Sequence, residues 1–222
     1  MTLSVFVDAY HVLTESSPSP RCEPLQPRLS CPMCCSMPFI PLSCHPSTPS
    51  SAVDRIAVCV CHRPDGILAL EYRIEGRLDG VRWPSLRPPL RVDGLWRHTC
   101  FEAFLVEPNL SAYYEFNFAP STEWTCYRFT GYRQGQTVVG QAGPPSIVLH
   151  PGVDCCRLAA TVDLTALTSL RVDRGLRLAL SAVVETVGGD RSYWALRHPP
   201  GQPDFHHPDG FALALGLPAS EK

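Results

Sequence analysis

Three short runs hold the side chains best suited to grasp a polar ligand: Trp96-Arg97-His98-Thr99-Cys100-Phe101-Glu102-Ala103-Phe104, then Tyr113-Tyr114-Glu115-Phe116-Asn117-Phe118, then Trp124 to Arg128. Aromatic rings, two glutamates, an asparagine and arginines recur at alternating positions, so polar groups and flat apolar surfaces can face one ligand together. That is the chemistry of sugar recognition, in which C–H faces of a ring pack on indole and hydroxyls take partners such as Glu, Asn and Arg. A β-sandwich core also calls for alternating aromatics, so the same pattern suits a packed interior.

Strand parity sorts these residues. With a period of 2, Cys100, Glu102, Phe104 and Val106 share one face, and Thr99, Phe101, Ala103 and Leu105 the other. In the next run Tyr113, Glu115 and Asn117 lie together, opposite Tyr114, Phe116 and Phe118, which read as core. A carboxylate such as Glu102 on an apolar face costs several kcal/mol unless it finds an Arg, a ligand hydroxyl or an ion. Arg97, Arg128 and Arg133 are its neighbours in sequence, and an internal Glu–Arg pair that only fixes the fold answers as well as a ligand does. Trp96, Trp124 and Trp194 are the candidate stacking rings; Trp124 follows the turn Pro120-Ser121-Thr122-Glu123 and so falls at a strand end, whereas Trp83 is a loop aromatic. The expected ligand set is Trp96, Arg97, Glu102, Glu115, Asn117, Trp124, Arg128 and Trp194.

Catalysis has less support. Glu102 and Glu115 could serve as a glycosidase pair, which needs carboxyls about 5 Å or about 6.5–9.5 Å apart. No Gly-x-Ser-x-Gly elbow, Gly-rich phosphate loop before a helix, or His-Glu-x-x-His is present, and the expectation is a binding protein rather than an enzyme. A proline-stiffened stretch, His198 to Asp209, gathers His198, His206 and His207 with Asp204 and Asp209; its spacing matches no standard metal site, so it reads as a structural clasp.

The elements that must carry these groups are strands. β-like runs separated by turn signals cover Ile56–Cys61, Ile67–Ile74, Thr99–Val106, Tyr113–Ala119, Trp124–Phe129, Ile147–His150, Arg157–Val162, Leu176–Thr186, Tyr193–Leu196 and Phe211–Leu215. Arg63-Pro64-Asp65-Gly66 and Gly188-Gly189-Asp190 are hairpin turns. Asp163 to Leu170 is the single helical candidate, a turn capped by Asp163. About ten strands and one helical turn imply a closed or sandwiched all-β fold, in which the strands hide two apolar faces against each other.

Composition sets the outer limits. The net charge is -2, Arg carries nearly all the positive charge and no basic block occurs, which argues against nucleic acid. No apolar run approaches the roughly 20 residues that cross a bilayer. Met1 to Leu13 is broken by Asp8 and His11 and reads poorly as a signal peptide. Nine of the 23 prolines fall in residues 1–50, interleaved with Ser and Cys, so residues 1–41 are expected to be a disordered extension, with translation starting at Met37 as a further reading. Residues 42–218 are expected to form the domain and 219–222 a tail. Cys31-Pro32-Met33-Cys34 has the spacing of a zinc or redox half-site, but the surrounding prolines discourage the ordered turn or helix either requires. Eleven cysteines, an odd total with Cys100 and Cys126 inside apolar strands, fit no complete disulfide framework and favour a reducing, cytoplasmic setting.

The block Asp93 to Leu105, the segment Tyr114-Glu115-Phe116-Asn117-Phe118-Ala119-Pro120, and Ser192-Tyr193-Trp194-Ala195-Leu196 leading into Pro203-Asp204-Phe205-His206-His207-Pro208 resemble bacterial DOMON-like proteins. These are relatives of DOMON domains and of family 9 carbohydrate-binding modules. The resemblance spans roughly residues 42–217. It implies a two-sheet antiparallel β-sandwich of jelly-roll type that binds a small-molecule ligand without catalysis, sugar in some branches and haem in others. Carried across, Trp96–Glu102 and Glu115 to Asn117 fall where such modules place ligand-facing groups, with Trp124 and Trp194 as rings. Haem-binding members use axial Met or His; the three Met (1, 33, 37) all lie in the extension, which leaves His98, His150 or His198 for that role, and no cofactor is expected.

Overall fold

The computed structural model describes residues 37–215. The expected extension, with its C-x-x-C, lies almost wholly outside the described residues, as does the tail. In chain order the strands are β1 (Ile40–Cys44), β2 (Val53–His62), β3 (Ile67–Gly76), β4 (Cys100–Val106), β5 (Tyr113–Phe118), β6 (Trp124–Phe129), β7 (Thr137–Val138), β8 (Ser146–His150), β9 (Cys155–Asp163), β10 (Leu176–Glu185), β11 (Arg191–Ala195) and β12 (Leu213–Leu215). Helical structure among the described residues is confined to short 3₁₀ turns. At Leu164–Ala166 the Asp163 side chain accepts from the Thr165 amide, the cap expected from sequence, and the turn stops there rather than running on to Leu170.

The ladders between these strands are antiparallel and join in one path, β7-β6-β5-β4-β10-β11-β1-β2-β3-β9-β8, with β12 added beside β10. The fold is thus all-β and antiparallel, but the path is a single curled sheet, a half-barrel, where two separate sheets were expected. The physical reason is β1. Its first part pairs with β2 (Ile40↔Val58, Leu42↔Ile56), while Ser43 and Cys44 pair with Ala195 and Trp194 of β11. One short strand therefore turns the corner and hydrogen-bonds the two wings together.

The wings bury their facing sides against each other. On β3 every second residue is inside, Leu68, Leu70, Tyr72 and Ile74, and β9 repeats the pattern with Cys156, Leu158, Ala160 and Val162. They meet Phe101, Ala103 and Leu105 of β4, Phe116 and Phe118 of β5, and Leu178, Leu180 and Ala182 of β10 in one cluster. Each large side chain buried there contributes about 1.5–3 kcal/mol. Tyr72 closes the interface by donating its hydroxyl to the Glu102 carbonyl at 2.7 Å.

β3 and β9 keep a solvent-facing side, whereas β4 and β5 are buried on both. Loops cover the outer side of these two strands. Phe104, Val106, Tyr113, Tyr127, Phe129, Ala179 and Phe211 form a second, smaller cluster there, with Phe205 packed against it. Beside that cluster the cover stops short, and the gap is the candidate site.

Candidate functional site

The floor of the gap follows from strand register. Ser181 of β10, Glu102 of β4, Asn117 of β5 and Thr125 of β6 lie across from one another in a row, all buried. The next row on the same face holds Ala179, Phe104, Glu115 and Tyr127. Glu102 and Glu115 are therefore diagonal neighbours on one face, a relation that brings long side chains within reach. A polar row of this length on a buried sheet face costs stability unless each group is satisfied. The Ser181 hydroxyl donates to Glu102 Oε2 at 3.2 Å, Asn117 Nδ2 donates to Glu115 Oε1 at 2.6 Å, and the Cys100 thiol donates to Asn117 Oδ1 at 3.6 Å.

The walls come from three loops. Gly94, at φ 81, adopts the left-handed backbone that starts the 3₁₀ turn Leu95–Arg97; buried Leu95 anchors the turn, and Trp96 and Arg97 project into the gap. Trp96 is 37% exposed and meets the Tyr127 ring edge-on at 6.1 Å. After β6, Arg133 takes φ 53, a strained conformation for a long side chain, and is held there by bonds at both ends. Its amide donates to the Tyr113 hydroxyl at 3.3 Å and its guanidinium pairs with Asp204 at 2.7 Å. Asp204 also accepts from the Tyr132 hydroxyl and the His206 amide, which pins the loop after β11 over the sheet. The His/Asp-rich stretch is thus a clasp: His198 bonds the Ser43 carbonyl, His206 bonds Tyr113, and His207 accepts from the Asp209 amide.

The resulting hollow measures about 450 Å³ and is lined by Trp96, Arg97, Glu102, Glu115, Phe129, Arg133, Gln136, Val183, Arg191, Tyr193, Pro203, Phe205 and His206. That volume lies within the range of small-molecule sites, about 300–1,000 Å³. Four of the eight residues expected from sequence converge here: Trp96, Arg97, Glu102 and Glu115. Asn117 sits directly behind, fully buried, orienting Glu115. The other three do not line the hollow. Trp124 and Trp194 are in the main core, their indoles donating to the Pro89 carbonyl and the Ser192 hydroxyl. Arg128 is paired across from Tyr114, on the face of β6 opposite Tyr127.

Burial sets the electrostatics. Desolvation, then the nearby Glu115 charge, raises Glu102 well above the ordinary carboxyl range despite Ser181 and a distant Arg133. Desolvation pushes Glu115 up to about 7, with Asn117 and Arg133 opposing. His206 is pushed down to about 4, by burial first and then by Arg133. Its Nε2 stands 3.8 Å from Glu115 Oε2, the distance of an ion pair, yet at neutral pH the imidazole is uncharged and no such pair forms. The Tyr113 oxygen accepts from the Arg133 amide and shares a hydrogen bond of 2.7 Å with His206 Nδ1, which turns Nε2 toward Glu115. The floor consequently offers protonated or half-protonated acids, which both donate and accept, as a sugar hydroxyl does.

Sequence reasoning named Arg133 as a partner for Glu102 and missed Arg191, Tyr193 and Phe205. The available signal was parity: Tyr193 and Trp194 point to opposite faces of β11, and the core took the indole.

No family model matches the chain, and no curated protein matches its sequence. Among solved structures it is similar to a putative carbohydrate-binding protein from Bacteroides uniformis, with a TM-score of 0.57 and 14% identity over 79% of this chain and 84% of that one. A carbohydrate-binding module of family 9 from Caldicellulosiruptor kristjanssonii, in complex with glucose, gives a TM-score of 0.44 and 14% identity over 81% of this chain and 84% of that one. The first of these likenesses shows a shared fold.

Proposed function

We propose that this chain is a non-catalytic binding protein for a carbohydrate or sugar-like metabolite, a DOMON-like relative of family 9 modules built on a curled antiparallel sheet. One observation carries the reading: a part-exposed indole, Trp96, shares a single hollow with Glu102, Glu115 and Arg97. The indole supplies an apolar face for a ring, and the acids and guanidinium supply hydrogen bonds at its edge. The fold shared with the Bacteroides uniformis protein supports it. Calorimetric titration with a panel of common neutral and acidic sugars tests it. Saturable binding that Glu102→Ala and Trp96→Ala abolish is expected; silence across the panel, or binding indifferent to both changes, overturns it.

The haem alternative loses its residues. Neither His98, bonded to Glu185, nor His150, nor His198 lines the hollow. A glycosidase-like reading keeps one supporting observation, the same-face placement of Glu102 and Glu115 with both acids raised. Hydrolysis of nitrophenyl glycosides that Glu115→Gln abolishes would put it ahead of the binding reading.

A further inference from the structure

The rim of the hollow carries positive charge that no acid of the site offsets. Arg97 and Arg191 both line it, and Arg191 Nη1 donates to the Arg97 carbonyl at 3.3 Å, which keeps the two arginines side by side. Among the described residues neither forms an ion pair, unlike Arg133, which Asp204 neutralises. The floor carboxyls compensate little, because burial favours the protonated form of both and the Glu115 charge adds to this at Glu102. Two guanidinium groups at the edge of a ring-sized recess present the planar donor forks that match carboxylate or phosphate oxygens.

We propose that the occupant is an anionic sugar, a ring bearing a carboxylate or a phosphate, with its ring against Trp96 above Glu102 and Glu115 and its acid group between Arg97 and Arg191. This inference rests on the carbohydrate reading. Ring and acid are recognised by different parts of the hollow, so they can be separated. An acid group seated between the two arginines displaces water from both, which strengthens the contact relative to a fully solvated pair.

The test is calorimetric titration of the full chain with glucose, galactose and mannose, with their uronates and 6-phosphates, and with gluconate, an acid without a closed ring. At least one acidic ring is expected to bind roughly tenfold or more tightly than its neutral parent, the scale of one charge-assisted hydrogen bond. Added salt should shrink that advantage, and in the Arg97→Gln/Arg191→Gln protein the acid-to-neutral affinity ratio should fall toward one. Comparison of uronates with phosphates identifies which acid group the arginines take. Neutral rings binding as tightly as every acidic one would overturn the inference and leave the carbohydrate site standing. Gluconate matching the uronates would overturn it as an acid site blind to the ring, and no binding by any ring would remove both claims.

Discussion

Replacing Glu115 with Gln isolates the cost of keeping an acid under the hollow. Glu115 is 5% exposed, and burial, partly opposed by Asn117 and Arg133, lifts it from an ordinary value of 4.5 to about 7. The folded protein therefore holds this proton more tightly than the unfolded chain. Below pH 4.5 the group takes nothing from stability; as pH rises from there through about 7, stability is lost. At about 1.4 kcal/mol per pH unit across that interval, full ionisation costs on the order of 3 kcal/mol. The groups facing it are Glu102, Arg133, His206, Tyr113 and Tyr127. Both tyrosines are pushed up to about 12 and stay neutral. His206 acts in the opposite window: with its value lowered from 6.5 to about 4, its stability contribution is present above 6.5 and lost as pH falls through about 4. Gln keeps an oxygen for Asn117 and imitates the neutral acid, so the comparison cancels His206. Urea unfolding of both proteins at about pH 5 and about pH 8 should show the variant gaining roughly 2–3 kcal/mol on the parent between the two. A gap that stays flat, or narrows, refutes the buried-acid reasoning.

The remaining predictions separate ring from core and clasp from floor. Trp194→Ala should cost about 3–5 kcal/mol in thermal or urea unfolding, because it empties part of the main cluster. Trp96→Ala should cost less than about 1 kcal/mol in the same assay, given its exposure, while removing sugar binding. Asp204→Asn weakens the hold on Arg133 and Tyr132; limited proteolysis should then cut faster within residues 198–209, with a loss of about 1–2 kcal/mol in global stability.

All ten strands read from sequence are present, with ends shifted by a few residues, because alternation of apolar and polar residues on β3 and β9 reports a sheet with one face inside. The two strands not foreseen are short and non-periodic: β1 begins at Ile40, within the expected extension, and β7 is the pair Thr137–Val138. Glu102 and Glu115 were legible because an acid on a run that is otherwise apolar is conspicuous. Residue type and, for Trp124, a place at a strand end mark Trp124 and Trp194 as stacking rings, but both indoles belong to the main core. The covering loops were legible as residues and, for 198–209, as a clasp, but not in what they cover. Residues such as Arg133, Phe205 and His206 reach the hollow through Asp204 and Tyr113, contacts between positions far apart in sequence that no local pattern encodes.

The most direct test of the account uses the indole N–H signals of the four tryptophans, Trp83, Trp96, Trp124 and Trp194, in a nitrogen–proton correlation spectrum. Titration with a saccharide that binds should move the Trp96 signal, assigned by its disappearance in Trp96→Phe, and leave the core signals of Trp124 and Trp194 in place. A titration that moves those core signals while Trp96 stays fixed would contradict the claim that the ligand rests in this hollow.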